Sequence, residues 1–138
     1  MEPTTLLPGI ALLSLVTVES GGWALLGFIT KRNGSLGEFR ERFFRAGHAH
    51  AGVLLVLALA YLSYLDRTRL GEGAQWTWGS VLLTGVLAQS GGFFLHMSIG
   101  HLGVGREGQG SIGTAMTRVG GLLIAVPLVA LAVELLRL

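Results

Sequence analysis

Residues Arg42–Leu62 read RFFRAGHAHAGVLLVLALAYL, a basic and aromatic half that passes through two histidines into an unbroken apolar run. Imidazole is costly in hydrocarbon and cheap in water. A pair of histidines at that border therefore belongs to the headgroup region or is held there by something it binds. The apolar half has the length and character of a bilayer-crossing helix, for which roughly 20 apolar residues are needed. Three more segments meet the same criterion, so the predicted spans are about Leu6–Thr30, Gly47–Leu65, Thr77–Ile99 and Ile112–Leu136. The predicted fold is all-α: an integral membrane four-helix bundle, antiparallel and up-and-down, forming a single domain over residues 1–138.

Composition agrees with this reading. Of the 138 residues, 51% are hydrophobic and only 13% are charged, and the mean hydropathy of +0.63 is not that of a soluble domain. The formal net charge is +2. Its basic residues stand beside apolar segments rather than along one polar face, which makes them topology signals and argues against nucleic acid as a partner. With no cysteine, there is no disulfide framework, thiolate metal site or thiol nucleophile. The opening MEPTTLLPG lacks the positive region of a secretory signal, so the first apolar run is expected to be retained.

In the four-span layout, Lys31, Arg32, Arg40, Arg42, Arg45, Arg106 and Arg118 flank one side of the membrane, whereas Arg67, Arg69 and Arg137 flank the other. The more basic side is cytoplasmic by the positive-inside rule. Both chain ends are then outside a bacterial inner membrane. His48, His50, His96 and His101 gather near the cytoplasmic ends of helices two and three. Trp76 and Trp78 stand at the outer interface, where amphipathic rings collect.

Histidines two apart on a helix point about 200° from each other, so only one of His48 and His50 is expected to face a given partner, and His48 is preferred. On helix three, Gly85, Gln89, Gly92, His96 and Gly100 recur at spacings of four, three, four and four. This small and polar stripe is expected to face the bundle. Two uses compete for it. Glycines can let another helix cross closely, with Gln89 and His96 bonding to its backbone. Alternatively, glycines on either side of His96 leave room for a flat macrocycle, with His48 or His50 as the opposite axial ligand and Arg45 or Arg42 meeting the propionates. The second use describes a bis-histidine haem b near the cytoplasmic face, suited to electron transfer or haem handling. A mononuclear transition-metal site on His48, His50 and His96 is the related alternative. Met97 is expected to pack, and His101 to be solvated.

Glu19 is the acidic residue nearest the centre of a span, which makes it a candidate proton site expected to face the bundle. It could relay protons, pair with a cationic substrate, ligate a metal, or hydrogen-bond to a neighbouring helix. Gly113, Thr117 and Gly121 form a small-residue stripe on helix four, assigned to packing or assembly, and Pro127 is a candidate kink. Such stripes make a homo-oligomer or a partner membrane subunit reasonable. Phosphate loops, nucleophile elbows, EF-hands and H-E-x-x-H motifs are missing from the sequence.

At FFRAGHAHAG the chain resembles a group of small four-helix bacterial membrane proteins, a resemblance that implies architecture rather than activity. The histidine pair before an apolar helix is also loosely similar to ligand-bearing helices of haem-copper oxidases and nitric-oxide reductases. Those proteins have more helices and more histidines, so their copper or non-haem iron centre has no counterpart here. A histidine-ligated site at His48 or His50 with His96 is all that the likeness implies. In length, helix number and a glutamate on helix one, the chain is similar to small multidrug transporters, with Glu19 at the matching position. That likeness implies a proton-coupled transporter, and a structural subunit is the third possibility.

Overall fold

In the computed structural model, residues 2–30, 36–99 and 112–138 are described, and they form four helices: α1 (Pro3–Thr30), α2 (Gly37–Leu65), α3 (Glu72–Ile99) and α4 (Ile112–Leu135). Each is long and apolar enough to cross a membrane. Together they make a helical bundle of a multi-pass membrane protein, with no strand among the described residues. Helices are what such a chain must form, because hydrocarbon offers no partner to a backbone N–H or C=O. Side-chain hydroxyls on α1 follow the same logic. Ser14, Thr17, Ser20 and Thr30 each donate to a carbonyl three or four residues back.

α3 is central. It carries α4 on one side and α2 on another, and α1 packs on α2 and more lightly on α3. A core of Leu7, Leu55, Tyr61, Leu62, Leu65 and Leu82 ties α1, α2 and α3 together. Trp76 and Trp78 pack against its rim. α1 contributes least, since its buried residues are Pro3, Leu7 and Ala11, all in its first third.

Two departures from the predicted spans matter for function. α2 starts at Gly37, ten residues before the predicted Gly47, so the segment expected as a loop is helical. Its polarity does not oppose a helix: Glu38 pairs with Arg42 and Glu41 with Arg45 one turn later, both on the exposed face. Gly37 opens the helix with a φ of +72°, which a residue bearing a Cβ would adopt only under strain. α3 likewise starts at Glu72 rather than Thr77, its acidic first turn complementing the helix dipole. A six-residue turn, 66–71, joins α2 to α3, and Thr68 Oγ1 donates there to the Leu65 carbonyl at 2.7 Å.

Candidate functional site

The glycine stripe of α3 is where α4 crosses. A Cβ added to Gly85 would lie 2.9 Å from the backbone of Leu123 and Ile124, and one added to Gly92 would lie 2.7 Å from the Gly113 carbonyl oxygen. α4 answers with its own glycines, since Gly113 and Gly120 sit against the backbone of His96 and Gln89. Between them Thr117 Oγ1 donates to the Gly113 carbonyl at 3.0 Å and lies 3.4 Å from the Gln89 carbonyl. This is a small-residue helix crossing of the kind that membranes favour, because close backbones maximise dispersion contact. The macrocycle expected beside Gly92 therefore has no space there: α4 fills it.

The three described histidines face three different neighbourhoods. His96 is only 3% exposed. Its ring lies against Phe43 at 4.3 Å and Phe39 at 5.7 Å, and its Nδ1 is 3.2 Å from Thr114 Oγ1 on α4. His50 stacks on Phe93 at 4.6 Å, with Nδ1 held 2.8 Å from the Ala46 carbonyl. Phe43 and Phe93 themselves approach at 6.5 Å, so phenyl rings occupy the region between His50 and His96. His48 turns the other way, onto α1: a Cβ at Gly22 would meet its Cε1 and Nε2 at 3.2 Å, and one at Gly21 its Nδ1 at 3.5 Å. Both members of the His48 and His50 pair can face packed surfaces because α2 lies between α1 and α3.

The expected site set is thus redistributed. Arg45 is paired with Glu41 at 2.5 Å rather than aimed at the histidines. Glu19 is exposed on α1 instead of facing the bundle, and it has no hydrogen-bond or ion-pair partner among the described residues. No group of three His, Asp or Glu side chains able to hold a metal occurs among the described residues. His101 and Gly100 lie outside the described residues.

What the structure adds is a groove of about 540 Å³ between α1, α2 and α3, lined among others by Ser14 and Gly21 of α1, His48 of α2, and Ser90 and Phe94 of α3. Its walls are mostly apolar, and exposed residues at its edge, Ile10, Thr17, Ser80, Thr84 and Leu87, show that it opens sideways between α1 and α3. Ser90 and His48 are among the polar residues of its lining. Ser90 is 6% exposed, yet its Oγ has no hydrogen-bond partner among the described residues. Neither ring nitrogen of His48 has a partner among the described residues. A buried hydroxyl left unpaired costs about 1–3 kcal/mol, so a partner that reached the Ser90 hydroxyl would gain by bonding. The other buried unpaired hydroxyl, Tyr61 Oη, is not among the groove's lining residues.

The chain gives no match to known protein families, curated proteins or solved structures.

Proposed function

We propose that this membrane protein binds an apolar, membrane-dissolved molecule with a hydrogen-bonding head, the class exemplified by prenyl quinones, in the groove between α1, α2 and α3. The observation that carries the reading is a mostly apolar groove whose lining includes Ser90, with a buried Oγ that has no partner among the described residues, and the His48 imidazole, likewise without one. A ring carbonyl accepts from the Ser90 hydroxyl, and a second oxygen accepts from the His48 N–H. The Phe94 ring and the Leu83 and Leu87 side chains cover the flat ring, while the sideways opening lets an isoprenoid tail remain among lipid chains.

The same proposal orients the chain in a bacterial inner membrane with both ends outside. Seven basic residues border the His48 end and three the other. The ligand head then sits toward the cytoplasmic leaflet. Reporter fusions after Leu138 that are active only outside the membrane support this orientation, and fusions active only in the cytoplasm reverse it.

A second reading is favoured by one feature of the same groove, an imidazole that lies against Gly21 and Gly22 and whose nitrogens have no partner among the described residues. Haem b held there by His48 would make the protein an electron-transfer or haem-handling subunit. Extraction decides between the two. Protein purified in mild detergent should release a quinone-class molecule by mass spectrometry and show no Soret band. A Soret band lost in His48→Ala overturns the quinone reading in favour of haem, and neither quinone nor haem under replete expression overturns both.

A further inference from the structure

α1 carries two adjacent glycines, Gly21 and Gly22, well beyond Ala11, its last buried residue. Glycines in a helix interior need a reason, because each lacks a side chain to pack and loses more backbone freedom on folding than any other residue. At the crossing of α3 and α4 the reason is backbone: Cβ atoms at Gly85, Gly92, Gly113 and Gly120 would each strike the facing main chain. At Gly21 and Gly22 no main chain of another helix lies so close. Everything that a Cβ there would meet within 4 Å, among the described residues, belongs to one side chain. From position 22 the His48 Cε1 and Nε2 atoms lie at 3.2 Å, and from position 21 the His48 Nδ1 lies at 3.5 Å.

The atoms met are the two ring nitrogens and the carbon between them, so the pair faces the hydrogen-bonding edge of the imidazole. A methyl at position 22 would press on that edge more tightly than ordinary van der Waals contact allows. α2 has little freedom to draw back, because one residue earlier a Cβ at Gly47 would already meet Phe93 and Phe94 of α3 at 3.1 Å. The ring itself would have to turn. Gly21 and His48 both line the groove, and Nδ1 is the nitrogen beside Gly21. Gly9 and Gly27 of the same helix meet nothing within 4 Å, so the close fit belongs to this pair and not to α1 glycines in general.

We infer that Gly21 and Gly22 are positioning residues: a bare seat on α1 that holds the His48 imidazole at the groove with its nitrogen edge clear of side chains, for a hydrogen bond to the ligand's head. The inference rests on the reading of the groove as a binding site. It makes the His48 hydrogen bond depend on α1 as much as on α2, although neither glycine supplies a polar side chain.

Two measurements on the full chain in detergent test the seat. In titrations with a short-chain benzoquinone, Gly22→Ala should weaken binding about three- to tenfold, up to the loss of one hydrogen bond. Gly21→Ala, whose methyl stands at an ordinary contact distance, should have the smaller effect, and Gly27→Ala none. Gly22→Ala combined with His48→Ala should bind no more weakly than His48→Ala alone, since the methyl acts through the ring. Independently of any ligand, NMR of protein carrying isotope-labelled histidine should show the His48 ring-nitrogen resonances, identified by their loss in His48→Ala, shifted in Gly22→Ala and unmoved in Gly27→Ala. Additive losses in the double variant, or His48 resonances that stay in place in Gly22→Ala, overturn the inference. A wild-type chain that binds no quinone overturns the proposed function instead, and the resonances alone then uphold or overturn the seat.

Discussion

The imidazole of His96 on α3 lies against the ring of Phe43 on α2, with 4.3 Å between centroids. Phe43 belongs to the helical extension that precedes the apolar span, so the extension covers a polar side chain that would otherwise face the membrane edge. This contact also takes the surface on which an axial ligand pair would have needed open space.

His96 should therefore be a packing residue. His96→Ala should remove the Phe39 and Phe43 contacts and leave Thr114 Oγ1 without the imidazole, at a cost of about 2–3 kcal/mol, whereas His50→Ala, at a half-buried position, should cost less. Unfolding in mixed detergent micelles followed by circular dichroism measures both. Equal effects would place His96 outside the packed core.

Glycines of this chain divide into two classes with opposite expected responses. Gly92→Ala and Gly120→Ala would drive a Cβ into the backbone of the facing helix and should destabilise by at least about 1–3 kcal/mol. Gly27→Ala meets nothing within 4 Å and should be neutral, or stabilising by roughly 0.5–1 kcal/mol from helix propensity. The same unfolding assay ranks them.

The α2 extension should be a real helix outside the apolar span. Arg42→Pro should remove helical signal and loosen the cover over His96, because proline interrupts the backbone ladder at a cost of about 3 kcal/mol. Glu41→Gln, which breaks only an exposed ion pair with Arg45, should cost under about 1 kcal/mol. If both variants behave alike, residues 37–46 do not form a packed helix.

Hydropathy made the four spans legible because each crossing must be apolar over its full length, and the glycine periodicity of α3 marked its packed face. Either of two occupants, a helix or a cofactor, satisfies the same stripe. Only α4's complementary Gly113, against Gly92 and His96, and Gly120, against Gln89, decide for the helix. The extension of α2 was hidden because Glu38, Glu41, Arg42 and Arg45 read as loop charges until their four-residue pairing is seen. Glu19 was misplaced because an intramembrane carboxylate is expected to face inward, and its exposure is set by how lightly α1 packs. Ser90 carried no sequence signal at all: a lone serine among apolar residues becomes a candidate only when its hydroxyl is buried and unpaired in a groove that His48 also lines.

Groove filling separates binding from fold. Thr84→Phe places a ring at the exposed edge of the groove, away from the α4 crossing, and should abolish ligand binding with the unfolding midpoint unchanged. A lowered midpoint in this variant would mean that Thr84 supports the packing rather than the opening.

The most direct measurement is a calorimetric titration of the purified protein in detergent with a short-chain benzoquinone, compared with Ser90→Ala and His48→Ala. The account predicts one saturable site per chain, with affinity lowered about five- to tenfold in each variant, the worth of roughly 1 kcal/mol for one hydrogen bond. Saturable binding that is unaffected by both substitutions, or no binding to the folded protein, would contradict it.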